Sequence, residues 1–419
     1  MRSLFHGLKR YVCFGIKVFS DRGLKVFSIT ALHFFKSKII KLLAKFTTSS
    51  DTAHLSRVLA EHEGMPLLVT RPLLDWDVPL FQRPHHLALS LSRCGFLYFY
   101  VTDNWANDNV LGFRAIEENL FLTNRADIIE QQQVRKVYVI TSTENYTTYD
   151  FVERELSKGN LILYEYLDEI HDQISGLGIP ESTHVRHAAI LKDERCIVIT
   201  TADKLYRDVQ AHRNSNFMLV TNGVEFEHFS RTFSAAEMPA VLRPIVASGR
   251  KVIGYFGALA SWFDYELVLK VVRERPDYEV VLIGFDYDGS SLPYHLDKEP
   301  RTHVIGPINY RDLPRYACWF DVATIPFRIN DITESTSPIK LFEYMAMGKP
   351  IVTTDMPECR KYKSVLVAKT HEGFIEALDT ALLKKDDPEY LALLKKEALE
   401  NTWEAKAGVI ANLIRANLS

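Results

Sequence analysis

The chain has 419 residues, 47% of them hydrophobic and 25% charged, which is enough for two globular domains of ordinary size. Its net charge of −3 is unevenly divided, because residues 1–50 contain ten Lys or Arg and a single acid. The five scattered cysteines exclude a disulfide framework and a zinc site and predict reduced thiols in the cytoplasm. They are Cys13, Cys94, Cys196, Cys318 and Cys359.

The first predicted element is a basic amphipathic helical arm over residues 1–50, in which large apolar side chains interleave with lysines. Its longest uncharged run, residues 26–35, is about half the length that a membrane-spanning helix needs, and the recurring cations argue against a signal peptide. The pattern indicates helices that lie on the inner face of the cell membrane. The alternative is an arm that packs on the protein body or on a partner chain. Nucleic acid is not an expected partner, since binding it needs fewer aliphatic side chains.

The polar stretch at residues 47–56 predicts a linker after the arm. Strand-like and helix-like segments then alternate, which predicts α/β layers with parallel sheets. The first domain is expected over residues 60–222. Its predicted strands lie at 66–70, 96–102, 119–123, 137–141, 161–166, 197–201 and 217–221, and its predicted helices at 83–94 and 151–158.

A hinge is expected at residues 223–250, before a second α/β domain at 251–400 and a final helix at 401–419. The predicted strands of this half lie at 251–257, 279–283, 304–306, 322–325, 351–354 and 366–367. Its predicted helices lie at 264–273, 312–318, 338–347, 372–383 and 388–419.

The segment over residues 337–350 predicts a helix that opens a phosphate site and leads directly into a strand. Ser337 suits the N-cap and Pro338 the first helical position, so backbone N–H groups and the helix dipole would face an anion. Lys340 adds a full positive charge, and Glu343 shares its face one turn deeper. The lysine and the helix start could take a diphosphate, and the glutamate both hydroxyls of a ribose. The alternative is an ordinary βα unit with a capped helix.

The run Pro-x-Lys-x-x-Glu-Tyr-x-Ala-x-Gly-Lys-Pro at 338–350 is similar to the nucleotide-binding segment of GT-B glycosyltransferases. This resemblance implies two Rossmann-like domains that face a cleft, with a final helix that crosses back to the first domain. It also implies that Glu343 holds the donor ribose and that no metal or further cofactor is needed. Many members carry two glutamates with seven residues between them, but here that spacing leads from Glu343 back to Ser335. Glu334 lies one residue too far away.

Other donor-binding residues are expected where strands of the second domain end. Gly257 and Ala258 could bring backbone close to a diphosphate or sugar, or form a simple tight turn. The resemblance implies that neighbouring loops border the nucleotide base, so that Ile308 and Tyr310 could flank a ring. Tyr310 could equally be a packing residue at a helix start. Arg328 could supplement Lys340 on the diphosphate or be a surface arginine.

The first domain is expected to supply the acceptor site. The run Phe-Gln-Arg-Pro-His-His-Leu-Ala resembles a signature of bacterial glycosyltransferases of this fold, so Gln82, Arg83 and His85 could hold the acceptor or its phosphate. Alternatively, this run simply begins a packed helix. Asp168, or else His171, follows a predicted strand and could act as the general base of an inverting transfer. Both could instead be solvated loop residues.

Together these features predict a glycosyltransferase that moves a sugar from a nucleoside-diphosphate sugar to a hydroxyl of a glycan or lipid-linked acceptor, in assembly of a bacterial surface polysaccharide. Two alternatives stay open at this point. One is a nucleotide-sugar epimerase of the same fold, and the other a non-catalytic scaffold with a degenerate transferase body. The sequence leaves open the base, the sugar, the linkage and whether transfer retains or inverts configuration.

Overall fold

The computed structural model describes residues 31–144, 147–171 and 178–418, so most of the predicted arm lies outside the described residues. Helix α1 occupies residues 31–44 and is followed by a 3₁₀ turn, Lys45–Thr47. The other helices are α2 Thr48–Glu61, α3 Arg83–Arg93, α4 Ala126–Gln131, α5 Tyr149–Ser157, α6 Glu181–Lys192, α7 Asp203–Gln210, α8 Phe226–Phe229, α9 Arg243–Ala247, α10 Tyr265–Glu274, α11 Leu313–Ala317, α12 Asp331–Glu334, α13 Ile339–Ala346, α14 His371–Lys384, α15 Pro388–Glu400 and α16 Trp403–Leu418.

Strands alternate with these helices along most of the chain. In the first half they are β1 Leu67–Thr70, β2 Leu97–Val101, β3 Phe113–Glu117, β4 Leu120–Thr123, β5 Lys136–Thr141, β6 Leu161–Tyr166, β7 Ile197–Thr200 and β8 Phe217–Leu219. In the second half they are β9 Lys251–Phe256, β10 Tyr278–Ile283, β11 Thr302–Gly306, β12 Val322–Ile325, β13 Ile351–Thr354 and β14 Val365–Ala368.

The chain divides into two compact units. The first comprises the residues up to Val78 together with Gly95–Lys136. Its strands are neighbours in the order β3-β4-β2-β1, with β1, β2 and β4 parallel and β3 antiparallel to β4. Every residue of β1, β2 and β4 is buried, as expected for strands covered on both faces.

The second unit comprises Pro79–Cys94 and the residues from Val137 onward. It contains the parallel strands β5-β6-β7-β8 and a six-stranded parallel sheet in the order β11-β10-β9-β12-β13-β14. A continuous apolar core fills the space between the six strands and their helices, including Phe256, Leu341 and Val352. The strand order reverses next to β9, and such a switch point is where open α/β sheets bind ligands at their carboxyl edge.

The structure corrects the predicted linker, since residues 48–61 form helix α2. One face of α2 buries Asp51, Leu55 and Val58. The Asp51 carboxylate forms an ion pair with the buried guanidinium of Arg125, which is distant in sequence. This contact helps to hold α2 in place, whereas its mostly polar composition had indicated a linker.

All thirteen predicted strands are present to within a few residues, and the α/β class with parallel sheets is confirmed. The structure adds β3, which the sequence did not predict. Among the helices that the structure describes, none has the length and apolar content of a membrane span.

Candidate active site

The predicted phosphate helix is present as α13, but it begins at Ile339 with Pro338 as its N-cap residue. The expected capping by the Ser337 side chain is therefore wrong. The Ser337 hydroxyl instead accepts a hydrogen bond from the Asn222 N–H (3.4 Å), and the Ser337 carbonyl accepts one from the Asn222 side-chain amide (2.6 Å). Because the Ser337 hydroxyl and carbonyl both accept hydrogen bonds from Asn222, Ser337 anchors Asn222 and does not cap α13.

Lys340 lies in the first turn of α13, where its ammonium is held against aromatic rings. Its Nζ is 4.9 Å from the ring centre of Phe327 and 5.4 Å from that of Tyr255. Within the described ranges the ammonium has no hydrogen-bond acceptor from the protein, so its three N–H groups are free for a ligand. Burial lowers the pKa of Lys340 to about 8, although Glu343 opposes the shift.

Gly257 directly adjoins Lys340, as the predicted donor site requires. Its φ of +136° is rarely accessible to residues with a side chain, and a Cβ placed there would lie 2.8 Å from Cε of Lys340. The Gly257 N–H donates to the carbonyl of Ile283 (2.9 Å), which fixes the loop on β10. The next residue, Ala258, presents its carbonyl to the Tyr255 hydroxyl at 2.8 Å.

Glu343 lies one turn after Lys340 and is only 5% exposed. Burial raises the pKa of its carboxyl to about 8, Lys340 lowers it, and Glu225 raises it further. Its carboxyl group makes no hydrogen bond to any residue that the structure describes. A buried acid without a partner is costly, and hydroxyl groups of a bound sugar would satisfy it.

The position that the family spacing assigns to a first glutamate is Ser335. This serine is fully buried, and its hydroxyl donates to the carbonyl of Ile332 at 2.9 Å within the turn that follows α12. Glu334 is partly exposed and lies 3.8 Å from Lys204.

The remaining predicted donor residues have partners within the protein. Arg328 donates to the hydroxyl of Tyr294 at 2.9 Å. Burial lowers the pKa of Arg328, but this hydrogen bond and the charges of Asp264 and Glu266 together outweigh burial and raise it. Tyr310 is 4% exposed and stacks on Phe81, with ring centres 5.4 Å apart. Ile308 is partly buried against the core. The contacts of Tyr310 are those of a packing residue, and base binding by Ile308 and Tyr310 stays a prediction.

The Gln82–His85 run forms the first turn of α3. Gln82 is the N-cap residue, and its N–H donates to Nδ1 of His85 at 3.1 Å. His85 is fully buried and stacks on Phe81. These contacts fix the start of the helix, while acceptor binding by Gln82 and His85 stays a prediction.

Arg83 extends from this turn into a buried hydrogen-bond network. Its Nε donates to the Glu165 carboxylate (3.0 Å), and Nη1 donates to the carbonyl of Thr221 (3.1 Å) and to the side-chain oxygen of Asn222 (3.2 Å). Nη2 is buried without a partner among the described residues. Because Asn222 is also hydrogen-bonded to Ser337, a continuous chain of hydrogen bonds links the first turn of α3 to the start of α13.

Asp168 is half-buried near this network. Burial raises the pKa of its carboxyl to about 7, with the Arg83 guanidinium lowering it and Glu169 raising it. A carboxylate with a pKa close to neutral is suited to accept a proton at physiological pH. His171, the other predicted base, is exposed.

The prediction from sequence missed two residues of this region. Asn222 belongs to an Asn-Gly pair, which indicated only a turn. Lys406, on the final helix α16, donates to the Asn401 side chain at 2.7 Å. Burial lowers the pKa of Lys406 to about 8, and the nearby charges of Arg83 and Lys361 add to the shift. No motif in the sequence distinguishes Lys406 from other helical lysines.

Known proteins resemble this chain in sequence and in fold. Residues 250–384 match the family model "Glycosyl transferases group 1". They include β9 to β14, the Gly257 loop and the whole of α13. The second half of the chain contains a glycosyltransferase group 1 domain.

A curated relative of the group 1 domain protein is the putative teichuronic acid biosynthesis glycosyltransferase TuaH of Bacillus subtilis. It is 27% identical over 192 residues, which are 44% of this chain and 47% of the relative. The match thus spans about half of the relative's length.

Solved structures share the overall fold. Sucrose-phosphate synthase of Thermosynechococcus elongatus superposes with a TM-score of 0.59 at 14% identity, covering 84% of this chain and 99% of that one. Anabaena HepE, solved in complex with UDP, gives 0.60 at 10% identity, covering 84% and 100%. The group 1 domain is therefore part of a GT-B fold with two parallel-sheet domains.

Proposed function

We propose that this protein transfers a sugar from a nucleoside-diphosphate sugar to a hydroxyl of a glycan or lipid-linked acceptor. The carrying observation is the juxtaposition of Lys340, Gly257 and Glu343 at the start of α13. The Lys340 ammonium, which has no acceptor among the described residues, can bind a diphosphate. Gly257 lacks a side chain, so the diphosphate can also approach the backbone there closely. One turn deeper, Glu343 offers ribose hydroxyls an unsatisfied buried acid.

In the proposed reaction the acceptor oxygen attacks the anomeric carbon, and the bond from that carbon to the diphosphate oxygen breaks. Lys340 and the first N–H groups of α13 stabilise the charge on the departing diphosphate, so no metal is required. In an inverting transfer, Asp168 accepts the proton of the acceptor hydroxyl. Arg83 positions Asn222, and Asn222 in turn positions the loop that leads into α13.

The donor site is tested by calorimetric titration with UDP, GDP and dTDP. The Glu343→Ala variant should bind the preferred nucleotide about 10- to 100-fold more weakly, because it loses two hydrogen bonds to the ribose hydroxyls, each of which contributes about 0.5–1.5 kcal/mol. The matched control is Glu334→Gln, a partly exposed acid in the preceding helix, which should bind as the wild type does. Unchanged affinity in Glu343→Ala, with an unchanged melting temperature, contradicts the proposal.

We also propose that the arm places the enzyme on the inner face of the cell membrane. Five large apolar side chains lie on one face of α1 and the turn after it, and Phe46 is 82% exposed. They are Leu32, Phe35, Ile39, Leu42 and Phe46. With the cations of residues 1–50, this face is typical of an interfacial helix. Replacing Phe35 and Phe46 by serine keeps the charge and should abolish sedimentation with anionic vesicles; retained binding would contradict membrane docking.

A further inference from the structure

The first unit contains a small cavity of about 250 Å³, lined in part by charged side chains, that the proposed reaction does not use. It lies between the end of α1 and the carboxyl ends of β1, β2 and β4. Its volume is below the ~300–1,000 Å³ of sites for drug-sized ligands, so it suits a single small group.

The wall of this cavity carries more positive than negative charge. Lys41, Lys45, Arg71 and Arg125 line it together with the carboxylates of Asp103 and Asp127. These four cations and two carboxylates leave a formal excess of two positive charges. Asp51 does not line the cavity but pairs with Arg125, which lowers the excess to one positive charge. An anion would complete this charge balance.

The cations of the lining differ in how firmly they are held. Arg125 donates to the Ala44 carbonyl at 2.9 Å and fixes the end of α1. Lys41 (2.7 Å) and Arg71 (2.9 Å) share one carboxylate, that of Asp103. Lys45 is exposed, and its ammonium has no hydrogen-bond or ion-pair partner in the described part of the chain. Lys45 is therefore the cation that an anion at the cavity mouth would meet first, while Lys41 and Arg71 share a single negative charge.

The cavity also adjoins the apolar face of α1. Lys41 and Lys45 line the cavity, while Leu42 and Phe46, the residues that immediately follow them, are exposed. A ligand with a phosphate head and a hydrocarbon tail could therefore satisfy the cavity and the apolar face at once.

We propose that this cavity binds the terminal phosphate of a lipid in the membrane on which α1 lies. A terminal phosphate can enter with three oxygens free to accept hydrogen bonds, whereas the phosphate of a diester is substituted on both sides. This inference rests on the proposed membrane docking. It adds that the docked protein recognises one kind of lipid headgroup, a terminal phosphate.

Flotation of the full-length chain without nucleotide tests the idea. Phosphatidylcholine vesicles carry either phosphatidic acid or phosphatidylglycerol, matched in surface charge. The wild type should bind the phosphatidic acid vesicles about fivefold or more tightly, the factor expected for one extra cation contact of about 1 kcal/mol. Lys45→Gln should lose this preference. Lys38→Gln removes the same charge from an exposed position of α1 that does not line the cavity and should keep the preference.

The outcomes separate the two proposals. Wild-type protein that binds neither vesicle defeats membrane docking and the lipid site with it. Binding without preference, or equal loss of preference in Lys45→Gln and Lys38→Gln, overturns the cavity alone. Glycerol 3-phosphate tests the source of the phosphate. Competition only at concentrations far above that of phosphatidic acid supports a lipid ligand, whereas binding of this soluble ester as tight as that of phosphatidic acid vesicles overturns it.

Discussion

The buried ion pair between Arg83 and Glu165 allows a quantitative test of the hydrogen-bond network beside the candidate active site. Nε of Arg83 lies 3.0 Å from the Glu165 carboxylate, and the two side chains are 4% and 2% exposed. At an effective dielectric constant of about 20, charges at this separation attract by about 5 kcal/mol. Arg83→Met removes this attraction, leaves Glu165 charged and buried, and should therefore lower the free energy of unfolding by about 3–5 kcal/mol.

Urea denaturation followed by circular dichroism measures this loss. The double variant Arg83→Met/Glu165→Gln removes both charges and should recover at least about 2 kcal/mol of the single-variant loss. Arg195→Met is the matched control, since Arg195 pairs with Glu153 on the surface and should cost no more than about 1 kcal/mol. A loss below 1 kcal/mol for Arg83→Met, or additive effects in the double variant, would refute the assigned role of the pair.

Three further predictions concern the site. Asp168→Asn should lower kcat by about 10²–10⁴-fold and remove the fall in kcat/KM below pH 7, where Asp168 becomes protonated; an unchanged pH profile would exclude it as the base. Nucleotide affinity should fall as the pH rises through about 8, where Lys340 loses its charge and Glu343 becomes charged. Calorimetry of Lys340→Arg should show the part of that fall due to Lys340 displaced to higher pH. Gly257→Ala should cost about 1–3 kcal/mol in urea denaturation and weaken nucleotide binding, whereas Gly159→Ala, with a φ of +81° and no atom within 4 Å of the new Cβ, should affect stability alone.

Much of the fold was predictable because buried parallel strands appear as short apolar runs bounded by turn residues. The antiparallel strand β3 carries Arg114 and Glu117 and has no fully buried residue, so it gives no such signal. Helix α2 was missed for a different reason. The partner of its Asp51, Arg125, lies 74 positions away, and no local pattern reveals such a contact.

The candidate site shows the same division. Lys340 and Gly257 each follow a local pattern, a helix start and a strand end, and the structure brings them together as predicted. Asn222 acts through Ser337, 115 positions away, and Arg83 pairs with Glu165, 82 positions away. Such roles depend on which elements become neighbours in space, and short motifs do not encode this.

The contact of the Lys340 ammonium with two aromatic rings affects how this charge can move during a reaction. A ring attracts a cation through its whole face and imposes no single direction, unlike a carboxylate, which would fix the ammonium by directed hydrogen bonds. In the proposed transfer, the Lys340 ammonium beside Phe327 and Tyr255 can therefore move with a phosphate oxygen as the diphosphate leaves the sugar, without first breaking a bond to the protein. The two rings thus keep the ammonium within the site while leaving it free to change direction.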